Sequence, residues 1–291
     1  MLDVTVPKVA AIHDMSGFGR CSLTVIIPVL SAMGVQVCPF PTAILSTHSG
    51  GFGKFSFHDL TGTMEDYSSH WKSIDLRFDC IYSGFLGSAR QIEIVSSFFR
   101  DFSAPEKPLI VVDPVMADTG RLYETYTPEM QEKMRLLAMK ADVITPNPTE
   151  AFFLLGEPYA DPPLDVTDVR RLLKRLSEGG PSAVVITGVQ TAGGGHINAG
   201  YERDSGACWQ VPFERIPVNY PGTGDIFSGV LVGSLLKGDS LPAAMDRATQ
   251  FASLAVSSTY TCGTPAREGV LIEKALHWLS QDLGRRTYAA I

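Results

Sequence analysis

Cysteine is scarce in this 291-residue chain: five residues, Cys21, Cys38, Cys80, Cys208 and Cys262, with no Cys-x-x-Cys and no nearby histidine pair. That excludes a disulfide scaffold and argues against a zinc site, leaving small core residues in a reducing compartment. Long apolar runs are missing too. Nothing approaches the roughly 18 residues needed to cross a bilayer, and Met1-Leu-Asp-Val-Thr-Val-Pro-Lys8 has no leader pattern, so a cytoplasmic protein with no membrane partner is expected. Positive charge is short: 24 Lys and Arg against 31 Asp and Glu give a net charge of −7. With no basic patch, nucleic acid is not the expected partner. Low-complexity linkers and internal repeats are absent. At 45% hydrophobic and 19% charged residues the composition is that of an ordinary folded chain, and residues 1–291 are expected to form a single domain.

What the sequence does contain is a repeated strand-then-helix order. Residues 8–13, 35–40, 78–83, 109–113, 142–145 and 183–187 read as strands. The run Leu109-Ile-Val-Val112 is continuously apolar, as expected of a strand covered on both faces. Helical spacing fills residues 22–33, the stretch after Ser88, residues 128–139, the stretch opened by Asn147-Pro-Thr-Glu150, and residues 165–177. Residues 41–54 read as a long Gly-rich loop, a candidate lid. After Gly188, short alternating runs at 197–201 and 208–211 predict an antiparallel hairpin at the sheet edge. Helices are expected over 223–238 and 242–259, with a closing helix to Leu283. The fold class is therefore α/β: a doubly wound, mainly parallel central sheet flanked by helices, with ligands outside the carboxyl ends of its strands.

Chemistry concentrates in Asn219-Tyr-Pro-Gly-Thr-Gly-Asp225. Gly222 and Gly224 let backbone N–H groups crowd a ligand, and the helix start at Thr223 offers free N–H groups and a positive dipole end. Asp225 adds a carboxylate at the same spot. Read alone, these residues suit a helix cap as well as an anion site. Asp113 and Glu150, each just after a strand, supply two more carboxylates on the same sheet edge. Mg²⁺ usually takes one or two protein carboxylates beside phosphates, so the set fits phosphoryl transfer.

Gly222-Thr-Gly-Asp225 before an apolar helix, Asn147-x-x-Glu150 after a strand, and Asp113-Pro-Val115 resemble the ribokinase superfamily. Ser46-Thr-His48 and Ser83-Gly-Phe-Leu-Gly-Ser88 are similar to segments of its pyridoxal kinases, and the likeness runs in order along nearly the whole chain. The resemblance implies a ribokinase-like kinase that moves the ATP γ-phosphate to the 5′-hydroxymethyl group of a vitamin B6 vitamer. On that reading Asp225 is the base, and Gly222, Thr223 and Gly224 form the anion hole. Asp113 and Glu150 organise Mg²⁺, while Asn147, Glu150, Thr187, Gly188 and Thr223 contact ATP. Asp14, Thr42, Ser46, His48 and Phe85 line the ring pocket. Members are often homodimers, and a requirement for a monovalent cation such as K⁺ is left open.

Three positions depart from the pattern. Asp14 stands where many pyridoxal kinases carry Ser, Phe85 where they often carry Tyr, and Ala117 where Gly is usual. The rival reading is a hydroxymethylpyrimidine kinase of thiamine synthesis, which carries Cys at the position of Asp225. A sugar kinase is disfavoured by the lack of a Gly-Gly-Asn type start. A non-catalytic vitamer-binding protein has no need of the base.

Overall fold

A computed structural model describes residues 6–103, 106–281 and 286–291, and its element order carries the expected alternation. The chain runs β1 (Lys8–Ser16), α1 (Leu23–Ala32), β2 (Gln36–Leu45), β3 (Phe57–Asp59), α2 (Thr61–Ser73), β4 (Cys80–Ser83), α3 (Ala89–Asp101), β5 (Leu109–Val112), β6 (Ala117–Asp118) and β7 (Arg121–Leu122). It continues through α4 (Pro128–Ala138), β8 (Val143–Ile144), α5 (Pro148–Leu155), α6 (Val166–Glu178), β9 (Ala183–Gln190), β10 (His196–Glu202), β11 (Ala207–Phe213), α7 (Thr223–Leu236), α8 (Leu241–Cys262) and β12 (Ala289–Ala290).

Ten strands form one sheet in the order β12-β11-β10-β9-β8-β5-β4-β1-β2-β3. The six from β9 to β2 are parallel, so their carboxyl ends share an edge. The hairpin of β10 and β11 extends the sheet antiparallel, as expected, and β12 adds to it. The apolar runs alternate between two cores. Ala10, Ile12, Ile110 and Val112 face α3–α6 on one side, while Val9, Ala11, Val111 and Val185 face α1, α7 and α8 on the other. No helix among the described residues is long and apolar enough to cross a membrane.

Helix starts follow local chemistry. Ser88, Thr127 and Asp165 each accept a hydrogen bond from the N–H three residues on, and Pro128 and Pro148 sit where the missing N–H does no harm. Helix α7 is apolar all round because it is enclosed by the sheet, α1 and α8. A Cβ at Gly233 would lie 2.5 Å from the sulfur of Met33, so the glycine lets α1 close onto α7.

Three expectations need correction. Residues 41–45 are not loop: β2 continues to Leu45, paired on both sides by β1 and the unforeseen β3, which shortens the loop to residues 46–56. The segments around α2 and the β6–β7 hairpin carried too little periodicity to be predicted. The closing helix is instead a series of short 3₁₀ turns, Ala266–Glu268, Ile272–Lys274 and Leu276–Ser280. Its expected end at Leu283, and residues 1–5 read for a leader, lie outside the described residues.

Candidate active site

The carboxyl edge of the parallel strands opens into a cleft of about 700 Å³. Its wall holds Asp113, Asn147, Glu150, Thr187, Gly188 and the whole of Gly222-Thr-Gly-Asp225, so the residues expected at nucleotide, metal and base do converge. Residues 213–221 and the β6–β7 hairpin close its sides with Tyr123, Tyr159 and Tyr220.

Gly222 caps α7 in the left-handed region, φ 81°, and a Cβ there would lie 2.3 Å from the carbonyl oxygen of Arg20. Only glycine holds this turn against the loop after β1. Gly224 differs: a Cβ there would meet nothing within 4 Å, so the space in front of it is open to a ligand. The Thr223 hydroxyl donates to the carbonyl of Tyr220, 2.8 Å, which fixes the turn before the helix. Helix geometry leaves the first N–H groups of α7 without intrahelical partners, facing the cleft as an anion site.

Asp225 takes one hydrogen bond from the backbone N–H of Ser22, 2.7 Å to Oδ2. Burial, reinforced by the negative charges of Asp113 and Asp14, pushes its carboxyl up to about 7. That is the range in which a carboxylate both exists at neutral pH and accepts a proton readily. Asp113 is buried at the end of β5, with Ser228 donating to its Oδ2 at 3.2 Å while the Ser228 hydroxyl lies 3.0 Å from Thr145 Oγ1. Burial pushes it, too, up to about 7.

Glu150 is buried, and each of its oxygens accepts a backbone N–H: Met116 at 3.1 Å and Asn147 at 2.9 Å. Asn147 accepts from the N–H of Glu150 at 3.0 Å, completing a capping box, and donates to the carbonyl of Ala117 at 2.8 Å. The pair thus does structural work, tying the chain after β5 to the start of α5. Burial and then the charge of Asp113 hold the Glu150 carboxyl well above its usual range. Two buried carboxylates that repel each other suit a cation brought between phosphates. Among the described residues no group of three or more His, Cys, Asp or Glu is placed to hold a metal ion.

Thr187 and Gly188 sit on β9 at the cleft. Gly188, at φ 70°, has its N–H held by Asn198, 2.8 Å, which in turn donates to Thr249 on α8.

The ring-pocket candidates do not line this cleft, although Asp14 is joined to Asp225 through Ser22. Asp14 sits where the β1–β2 ladder slips, His13 facing Pro41 but Met15 facing Ile44. Its carboxylate accepts from Ser22 Oγ, 2.6 Å, and Ser16 Oγ, 3.2 Å. Burial raises its pKa. Thr42 is fully buried and donates to the carbonyl of half-buried Phe85, 3.2 Å. Ser46 is exposed and its hydroxyl accepts from the N–H of Ser56. His48 is buried with both ring nitrogens engaged, Nδ1 accepting from the N–H of Gly50 and Nε2 at 2.6 Å from the carbonyl of Arg267. It joins the 46–56 loop to the 266–268 turn.

Sequence reasoning missed Ser22 and Ser228. Ser228 had a signal, three residues after Asp225 on one face of α7. Ser22 had none, since the Asp225 carboxylate that its N–H holds is 203 residues away.

A carboxylate at a backbone anion site, at the open edge of a doubly wound sheet, defines a small-molecule kinase of the ribokinase type, transferring phosphate from ATP to an alcohol. The comparisons with known proteins agree. The sequence profile described as phosphomethylpyrimidine kinase matches residues 27–269. A Bacteroides thetaiotaomicron protein described provisionally as a phosphomethylpyrimidine kinase superposes with TM-score 0.95 at 48% identity, covering 100% of both chains. An orthorhombic form of that protein, with pyridoxal, gives TM-score 0.93 over 99% of this chain and 100% of that one. Pyridoxal kinase from Lactobacillus plantarum gives 0.87 at 32% identity over 94% and 97%. A pyridoxal kinase of Paraburkholderia xenovorans is 28% identical over 273 residues, 88% of this chain and 89% of the relative. The chain belongs to the phosphomethylpyrimidine kinase family.

Proposed function

We infer that the protein phosphorylates the 5′-hydroxymethyl group of a vitamin B6 vitamer with ATP and Mg²⁺. The observation that carries this is Asp225: a carboxylate poised near neutral pH beside a backbone anion site, in a chain 48% identical to a protein whose structure was obtained with pyridoxal. Asp225 Oδ2 is held by Ser22, which leaves the other oxygen to take the proton of the substrate hydroxyl. The N–H groups at Gly222, Thr223 and Gly224 stabilise the negative charge of the transferred group, as preorganised donors do. Asp113 and Glu150 would hold Mg²⁺, the oxygens of Glu150 being already oriented by backbone donors. The metal, when bound, neutralises phosphate charge. Asn147, Thr187 and Gly188 border the nucleotide, and Asp14, Thr42, Ser46, His48 and Phe85 shape the vitamer end, His48 by holding the loop. The hydroxymethylpyrimidine reading is the weaker, because Asp rather than Cys stands at 225. Incubation with pyridoxal and ATP should give the 5′-phosphate by mass and ³¹P spectra. No phosphorylated product from any B6 vitamer would refute the reading.

A further inference from the structure

Ser22 has a backbone that a side chain disfavours, φ 50° and ψ −134°. Such a conformation persists only where its surroundings impose it. Ser22 precedes α1, where a serine hydroxyl ordinarily accepts a hydrogen bond from the first turn, yet here the side chain makes no cap bond. It turns the other way and donates to Asp14 Oδ1 at 2.6 Å, while the backbone N–H of the same residue donates to Asp225 Oδ2 at 2.7 Å. One residue thus joins two buried acids that belong to different parts of the chain. The segment carrying it is clamped on both sides. Arg20 donates its N–H to the carbonyl of Glu268, 3.0 Å, and pairs with Glu273 at 2.8 Å. The cap residue Gly222 lies against the Arg20 carbonyl and the Cys21 Cα, with no room for a Cβ.

We propose that Ser22 is a positioning residue that sets the base of α7 in register with the substrate-side carboxylate Asp14, and that its strained backbone is retained because the double attachment needs it. Without the hydroxyl bond, the N–H is no longer aimed by an anchor on β1, and Asp225 loses its fixed orientation toward the hydroxyl it deprotonates. The proposal rests on the reading of Asp225 as base.

The test uses pyridoxal and ATP with six proteins: wild type, Ser22→Ala, Ser22→Gly, Asp14→Ser, the double variant Asp14→Ser/Ser22→Ala, and Asp225→Asn. Ser22→Ala should lose about tenfold in kcat with KM for ATP within twofold, the size expected of a misaligned catalytic group. Ser22→Gly relieves the backbone, so its melting temperature should exceed that of Ser22→Ala, yet its kcat should be no better. A residue that served stability alone would give the same gain in melting temperature but a glycine variant with wild-type kcat. With Asp14 already replaced, the step to the double variant should cost less than threefold, because the partner of the hydroxyl is gone. Wild-type kcat in Ser22→Gly, or the same loss from Ser22→Ala in both backgrounds, would overturn the proposal. An inactive Asp225→Asn beside active Ser22 variants would sink the Ser22 role alone, whereas an active Asp225→Asn would remove the base reading beneath it.

Discussion

Replacing Asp225 by Asn should separate activity from stability, and in opposite directions. The carboxyl titrates at about 7 in the fold against an ordinary 3.8. A group whose folded pKa is raised gives stability that is fully present below the unfolded value and is lost as pH rises through the folded one. Between roughly pH 4 and pH 7 the ionising carboxylate therefore destabilises the native state increasingly, by up to roughly 4 kcal/mol at pH 8. Asparagine carries no such charge and can still accept from the N–H of Ser22, so most of that energy should return as stability. Thermal melts of the two proteins should nearly coincide at pH 4 and separate by several degrees at pH 8, the variant higher. Turnover should move the other way, since a general base contributes on the order of 10² to 10⁴ in rate. KM for either substrate should stay nearly constant, because the role lies in the transition state. Turnover of the variant at the wild-type rate would refute Asp225 as the base, and a gap between the melts that does not grow with pH would refute its raised pKa.

Further outcomes follow from the same geometry. The acid limb of kcat/KM should lie near pH 7 and reflect Asp225 and Asp113 together, both raised by burial, so the rate should climb from pH 6 to pH 8; a flat profile over that range would contradict it. Glu150→Gln should raise the Mg²⁺ needed for half-maximal rate several-fold and cost about 1–3 kcal/mol in denaturant melts, because the amide sets a donor against a backbone N–H. An unchanged Mg²⁺ titration would place the metal elsewhere. Gly222→Ala should fold poorly, with its Cβ driven into the Arg20 carbonyl, while Gly224→Ala should melt like wild type yet lose at least tenfold in kcat. Equal activity for Gly224→Ala would show that no phosphate approaches there.

The sequence made the sheet readable where its chemistry was one-sided. Leu109-Ile-Val-Val112 could only be a strand covered on both faces, and it delivered Asp113 to the edge where the cleft opens. Gly222-Thr-Gly-Asp225 stood out because glycine and carboxylate meet at a helix start. What was hidden depends on partners far along the chain. Residues 41–45 look like loop until β1 and β3 flank them, and Ser22 looks like a plain helix cap until Asp14 and Asp225 are placed around it. Glu150 was seen as an acid near a metal, whereas its two backbone hydrogen bonds show that it also holds α5 in place. His48 was expected in the ring pocket from the likeness of its segment alone, whereas the loop-joining bonds of its two nitrogens needed the fold to be seen.

With Asp at position 225, this chain should act on a B6 vitamer in preference to the pyrimidine named by its family. Equimolar pyridoxal and hydroxymethylpyrimidine competing for limiting ATP and Mg²⁺, with products resolved by ³¹P spectra, tests it directly. Pyridoxal 5′-phosphate is expected in at least tenfold excess. Hydroxymethylpyrimidine phosphate as the main product would contradict it.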